Sequence, residues 1–214
     1  MDVATDLTPL LGSSIVRLDA MAIKHLQEPR LYSAIDELAL LSAKAMQLRK
    51  PLTSCEKLVN TDNILYLIWE KDEENGVSKL IGMLKVGRKQ LFLYDREMKP
   101  YEGEFLALLD FYVHFSRQRQ GYGKKLFEFM LQYERMAAHD VAFDNPSVIL
   151  LAFMSKHYGL TDAVWQNTNF VVFPQLFTTT AVDGAFERCI WLVIFHYTVI
   201  FTQSYSDKSF HKHG

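Results

Sequence analysis

The chain has 214 residues, 49% of them hydrophobic and 22% charged, and a formal net charge of -2. This composition fits one compact domain, alone or with an extension, and excludes disorder of the whole chain. The near-neutral balance excludes general nucleic-acid binding, which needs a basic excess, and the only cysteines, Cys55 and Cys189, lack the spacing of a disulfide framework or a zinc site.

The first twelve residues, MDVATDLTPLLG, carry acidic residues and a proline where a secretory signal has a basic start and an apolar run. With so few cysteines, the expected setting is reducing and intracellular. Ile15 to Leu18 is a short apolar segment suited to an edge strand. After Pro29, Leu31, Ala34, Ile35, Leu38, Leu41, Ala45 and Leu48 recur at three- and four-residue steps, which predicts an amphipathic helix that Pro51 ends. Ile64 to Trp69 and Leu80 to Val86 flank the polar, glycine-containing KDEENGVSK and read as a β-hairpin. A further strand is predicted at Gln90 to Tyr94, past Gly87, and Asp95 to Glu104 reads as a polar loop.

Leu108 to Lys125, LLDFYVHFSRQRQGYGKK, runs from a strand through a polar turn into a helix. Strict alternation assigns Leu109, Phe111 and Val113 to one face, and Leu108, Asp110, Tyr112 and His114 to the other. Gly121 and Gly123 open the helix, whose unpaired N–H groups and positive dipole end suit a phosphate. An ordinary strand-to-helix turn contains the same residues, so both readings stand at this level. The helix continues with Leu126, Phe127, Met130 and Leu131 on one face. Val141 to Phe143 forms a short strand ending at Asp144, a residue that also suits a turn or helix cap before Asn-Pro-Ser. Ser147 to Tyr158 is a helix whose apolar residues nearly encircle it, predicting burial on more than one side. Asn169 to Phe173 is a last strand. Cys189 to Phe201, at 13 residues, is shorter than the roughly 20 a spanning helix needs and reads as a strand or buried segment. His211 and His213 lie in a polar tail and indicate no metal.

The order of these elements, with QRQGYGKKLF after LLDFYVH, resembles the GNAT superfamily of acyl-CoA-dependent N-acetyltransferases. Together with KVGRKQLF, Asp144-Asn145-Pro146-Ser147, KHYGL and NFVVF, these blocks resemble the alpha-tubulin N-acetyltransferase family over roughly residues 14 to 177. The resemblance implies an α+β fold, a mixed and mostly antiparallel sheet flanked by helices on both faces. It implies an acetyltransferase domain over residues 1–177 and a divergent extension over 178–214. The implied activity is transfer of acetyl from acetyl-CoA to a lysine of alpha-tubulin in microtubules, in the cytoplasm, with no membrane or nucleic acid involved.

The resemblance further implies that acetyl-CoA lies along Phe111, Tyr112, Val113, His114 and Phe115 of the strand end. It would continue over Ser116, Arg117, Gln118, Arg119, Gln120, Gly121, Tyr122, Gly123 and Lys124 of the turn and helix start. Ser147, Val148, Ile149, Leu150, Leu151, Ala152, Phe153, Met154, Ser155 and Lys156 would close the other side. Asp144 matches the family's catalytic aspartate. Two positions depart from the family: Ala107 stands where it has a cysteine important for activity, and Val59 aligns with a glutamine. These departures imply a reduced activity and motivate the alternative of a non-catalytic module that binds acetyl-CoA or tubulin, while the loops at 50–63 and 95–104, where the resemblance is poorest, motivate an enzyme for another lysine. Cys55, Glu104 and Asp110 are candidates to compensate for Ala107, each with a plainer reading as a buried thiol, a solvated loop carboxylate and a paired strand acid. His114 and His157 read as a lining residue and a helix-end residue.

Overall fold

A computed structural model describes residues 2–3 and 6–178. Its strands are β1 (Asp2–Val3), β2 (Ile15–Leu18), β3 (Ile64–Asp72), β4 (Val77–Tyr94), β5 (Pro100–Val113), β6 (Ala142–Asp144), β7 (Val164–Trp165) and β8 (Phe170–Val172). The helices are α1 (Thr8–Leu11), α2 (Ala20–Leu26), α3 (Pro29–Ala45), α4 (Cys55–Val59), α5 (Tyr122–Glu134) and α6 (Val148–Tyr158). One sheet runs β2-β3-β4-β5-β6-β8-β7, with β1 added beside the start of β4. Every pairing is antiparallel except that of β5 with β6. This is the expected α+β architecture, and β2 is indeed an edge strand.

Helices cover both faces. On one, α2, α3 and α4 bury Ile23, Leu31, Ile35, Leu38 and Leu58 against Leu65, Leu67, Leu80 and Met83. On the other, Leu126, Phe127 and Met130 of α5 and Met154 of α6 pack on Tyr66, Leu84, Leu106, Leu108 and Phe143. Each fully buried side chain of this size contributes about 2 kcal/mol of apolar burial. A third cluster, Leu93, Phe105, Ala107, Leu109, Ala142, Val172 and Leu176, lies on the α3 face farther along β4 and β5.

Several sequence expectations need correction. The two strands expected at Leu80 to Val86 and Gln90 to Tyr94 are one strand, β4, because Gly87 pairs in register with Ala107 and does not interrupt it. The polar loop is correspondingly short, since β5 begins at Pro100 and already contains Glu102 and Glu104. Helix α3 stops at Ala45, not at Pro51. Gln47 turns left-handed at φ 56, and the Leu48 N–H bonds back to the Ala43 carbonyl, a closure of the helix by its own backbone. Its buried stripe drifts accordingly to Ala39 and Ser42, while Ala45 is exposed. Asp19, directly after β2, caps α2 by accepting from the Ala22 N–H. Helices α1, α2 and α4 are not foreseen in the sequence, since at four to seven residues they are shorter than the window over which helical periodicity can be read.

The alternation along β5 also breaks. Lys85 pairs with Asp110 and Val86 with Leu108, so Leu109 is an extra residue in the strand. The bulge puts Leu108 with Phe111 and Val113 on the α5 face, and Leu109 with Ala107 on the other. Asp110 stays opposite Lys85. The last β5–β6 pair, Leu108 with Phe143, falls immediately before this bulge. A bulge bends its strand, and beyond it β5 runs on to Val113 with no strand partner on that side among the described residues.

Candidate active site

The separation of β5 from β6 leaves a gap with one backbone edge of residues 109–113 facing into it. The turn that follows β5 is tied down by side chains: His114 Nδ1 lies 2.9 Å from Ser116 Oγ, Gln118 Nε2 donates to the Val113 carbonyl at 2.9 Å, and Gln120 Nε2 donates to Ser116 O at 3.2 Å. Arg119 and Gly121 both have positive φ, 63 and 89, so the backbone adopts the left-handed region twice within this turn. Gly121 caps α5 without any side chain, and among the described residues a Cβ there would meet nothing within 4 Å. The first turn of α5 therefore presents uncapped N–H groups to open space beside the gap, the arrangement that holds a diphosphate.

Glu70 of β3 braces this turn at two points. It accepts a short hydrogen bond from the Tyr122 hydroxyl and pairs with the Arg117 guanidinium at 3.6 Å. Lys124 pairs with Glu128 at 3.5 Å. Gly123 packs closely on β5, with Phe111 Cζ 3.5 Å from its Cβ position and Phe153 of α6 at 3.9 Å.

Across the gap, Ser147 caps α6 by accepting from the Leu150 N–H. The burial expected around this helix is not found: Met154 alone is wholly buried, while Val148 is 82% and Ile149 74% exposed. Leu150, Leu151 and Phe153 are half-buried against the α5 cluster, Ser155 is intermediate, and Ala152 and Lys156 are exposed. Phe115, 69% exposed, stands at the turn after β5 with its ring 4.5 Å from that of His114. An apolar helix start bordering a gap lined with backbone amides fits a ligand with polar amides and an apolar chain. The pantetheine arm and diphosphate of acetyl-CoA have that chemistry.

The far end of the gap holds ionisable groups on the α3 face. Asp144 ends β6 on the same side as Ala142, is half-buried, and has no hydrogen-bond partner among the described residues. Burial pushes its carboxyl above the ordinary carboxylate range, and the charges of Lys85 and Lys89 pull it part of the way back. Lys85 is itself buried, with Nζ donating to the Leu52 carbonyl at 2.5 Å. Burial pushes its ammonium down in pKa, while Asp110 opposes that shift. Asp110, also buried, accepts from Ser42 Oγ at 2.9 Å and Thr53 Oγ1 at 2.6 Å. Sequence reading missed Lys85 and Lys89, although period-two spacing in KVGRKQLF assigns them, with Gly87, to one face.

The candidates for replacing a side chain at Ala107 separate clearly. Ala107 is fully buried between Gly87 and Ala142, with no functional group at that point. Cys55 lies in the cluster under α3, its thiol pushed up to about 12 by burial, beyond the range of a nucleophile at neutral pH. Val59 packs against the same cluster. Glu104 is exposed on a strand, on the opposite face from Ala107. Asp110 is committed to Ser42 and Thr53. His114 serves the turn, and the His157 ring lies tilted against Phe153 with centroids 4.7 Å apart. The segment Cys189 to Phe201 and the tail histidines lie outside the described residues.

Residues 3–188 match the family model described as GNAT acetyltransferase, Mec-17. A Caenorhabditis elegans protein named alpha-tubulin N-acetyltransferase 1 is 57% identical over 88% of this chain and 72% of its own length. The Danio rerio protein of that name is 43% identical over 70% of this chain and 50% of its own length. An Anopheles gambiae alpha-tubulin N-acetyltransferase is 40% identical over 79% of this chain but only 33% of its own length.

Proposed function

The chain belongs to the Mec-17 family of GNAT acetyltransferases, and on that premise we propose that it transfers acetyl from acetyl-CoA to a lysine side chain of alpha-tubulin in microtubules. Residues 1–177 form the acetyltransferase domain in this reading, and 178–214 an extension of unassigned role. Its place of action is the cytoplasmic microtubule cytoskeleton. The observation that carries the reading is the gap between β5 and β6, with uncapped amides at one end and the half-buried Asp144 carboxylate at the other.

Acetyl-CoA supplies a thioester whose acetyl carbon gains a bond from the amine nitrogen as its bond to sulfur breaks. A lysine ammonium, with a reference pKa of about 10.4, must first lose a proton. Asp144, with its carboxyl raised toward neutrality, takes that proton. The N–H groups of Gln118 to Lys124 hold the diphosphate, and the free edge of β5 pairs with the amides of the arm. Val148, Ile149 and Phe115 cover apolar parts of the ligand. Incubating the whole chain with polymerised tubulin and labelled acetyl-CoA tests this: the label enters alpha-tubulin, and absence of incorporation by a chain that binds acetyl-CoA rejects it.

Glu70 should affect the cofactor end alone. Losing its carboxylate in Glu70→Gln frees Arg117 and weakens the brace on Tyr122, so the KM for acetyl-CoA is expected to rise about three- to tenfold, the scale of one charge-assisted bond. The turnover number stays near that of the parent, and steady-state kinetics at varied acetyl-CoA separate the two.

A second reading is favoured by Ala107, which leaves no side-chain function beside the reacting centre. A binding module without turnover has this property. Direct attack by an oriented amine needs no enzyme nucleophile, so the transfer reading survives it. Ala107→Cys discriminates. Activity rising less than about tenfold fits a working parent enzyme, whereas appearance of activity from none, a gain at the upper end of what one positioned acid–base group supplies, fits the module.

A further inference from the structure

In an antiparallel pair, successive residues direct their backbone N–H and C=O alternately toward the partner and away from it. At the tip of the hairpin the Asp95 N–H bonds to the Lys99 carbonyl, so the groups of Tyr94 point outward from β5. Gln166 confirms that direction: its amide oxygen accepts from the Tyr94 N–H at 2.7 Å and its nitrogen donates to the Tyr94 carbonyl at 3.0 Å. A side-chain amide thus occupies this position as a neighbouring strand would. Pairing of β4 with β5 is unbroken from Val86 to Tyr94, so Arg88, Gln90 and Phe92 face the same way. Strand β3 begins only at Ile64, opposite Val86, and no hydrogen bond from the described residues reaches the outer backbone of those three.

We propose that this outer edge of β4 takes the acceptor segment as an added β-strand, through the backbone of Arg88, Gln90 and Phe92, so that the site selects lysines carried in extended, flexible segments. The proposal rests on the transfer reading above. The edge is continuous with the proposed centre: it begins beside Gly87, whose neighbour across β4–β5 is Ala107 and whose next neighbour is Ala142, two residues from Asp144. An added strand would lie two strand spacings, about 10 Å, from the Ala107 backbone. Arg88 is exposed and Lys89 half-buried, and neither forms a salt bridge among the described residues. Phe92 is 50% exposed. The occupant is therefore an extended segment with acidic residues near its lysine and an apolar residue toward the hairpin tip, since edge strands bind by main-chain bonds and select by alternate side chains.

Two measurements test it, with polymerised tubulin as the acceptor. Gln90→Pro removes one outward N–H and leaves the bonds to β5, whereas Gln90→Ala removes only the side chain. The KM for tubulin should rise about five- to tenfold more in the proline variant, the cost of one unmade hydrogen bond, with acetyl-CoA binding unchanged. In the unaltered chain, saturating tubulin should slow amide exchange at Arg88, Gln90 and Phe92. Equal KM values for the two variants, together with unchanged exchange at the three amides, overturn the edge while acetylation still supports the transfer reading. Slowed exchange without acetylation supports the edge and rejects the transfer.

Discussion

Asp144→Asn is expected to lower the turnover number for acetyl transfer by about 10²- to 10⁴-fold, the range for loss of a positioned general base, with little change in acetyl-CoA affinity. The variant should unfold at no lower temperature than the parent. A carboxyl whose folded pKa is raised disfavours folding once ionised, and its stabilising contribution is lost as pH rises. A neutral isostere removes that cost, so lost activity with undiminished stability identifies a chemical role. The pH profile gives an independent reading. A base must be deprotonated, so the acid limb of kcat should fall above the ordinary carboxylate range in the parent. Lys89 pulls the Asp144 pKa down, so Lys89→Met should move this limb to higher pH. A profile unmoved by Lys89→Met, or an Asn variant within tenfold of the parent, would show that another group handles the proton.

The second large effect concerns stability. Asp110→Ala should destabilise the domain by about 3–5 kcal/mol, because it removes the countercharge opposite the buried Lys85 and leaves the Ser42 and Thr53 hydroxyls without their acceptor. For a domain of this size that corresponds to roughly 10 °C in Tm. Asp110→Asn keeps an acceptor but no charge, so its loss should be smaller. Thermal unfolding followed by circular dichroism distinguishes these values. A shift of no more than about 2 °C for Asp110→Ala would mean that Lys85 finds compensation elsewhere. Both variants should also lower activity, since the Asp110 charge favours the ammonium form of Lys85 and that charge in turn acts on Asp144.

The fold was legible wherever local pattern and tertiary environment agreed. Ile15 to Leu18, the start of β3 and the stretch from Leu108 to Lys125 carry strong local signals, and the expected elements are found there. Long-range pairing was not legible. Gly87 looks like a break in sequence, yet its pairing with Ala107 holds β4 continuous. Likewise, nothing local marks Leu109 as supernumerary, because the bulge is defined by the register of Lys85 and Val86 on another strand. Helix α6 erred in the other direction. Its apolar first turn implied a buried environment, whereas Val148 and Ile149 stand exposed beside a gap. Within the candidate site, Asp144 and the glycine turn were readable from the resemblance. The polar group around Lys85 and Asp110 was not, since Ser42, Leu52 and Thr53 reach it from distant positions in the chain.

The bulge at Leu109 also bears on how such a domain changes over generations. A bulge residue is additional to the paired ladder, so losing its codon preserves the inward and outward facing of every other β5 side chain. The protein would still fold around the same clusters. Straightened, however, β5 could continue its pairing with β6 past Leu108, and the gap that begins there would close. A lineage can therefore abandon the cleft by one in-frame deletion while keeping its core, and a descendant of that kind would look like an ordinary member of the fold in all but the length of a single strand.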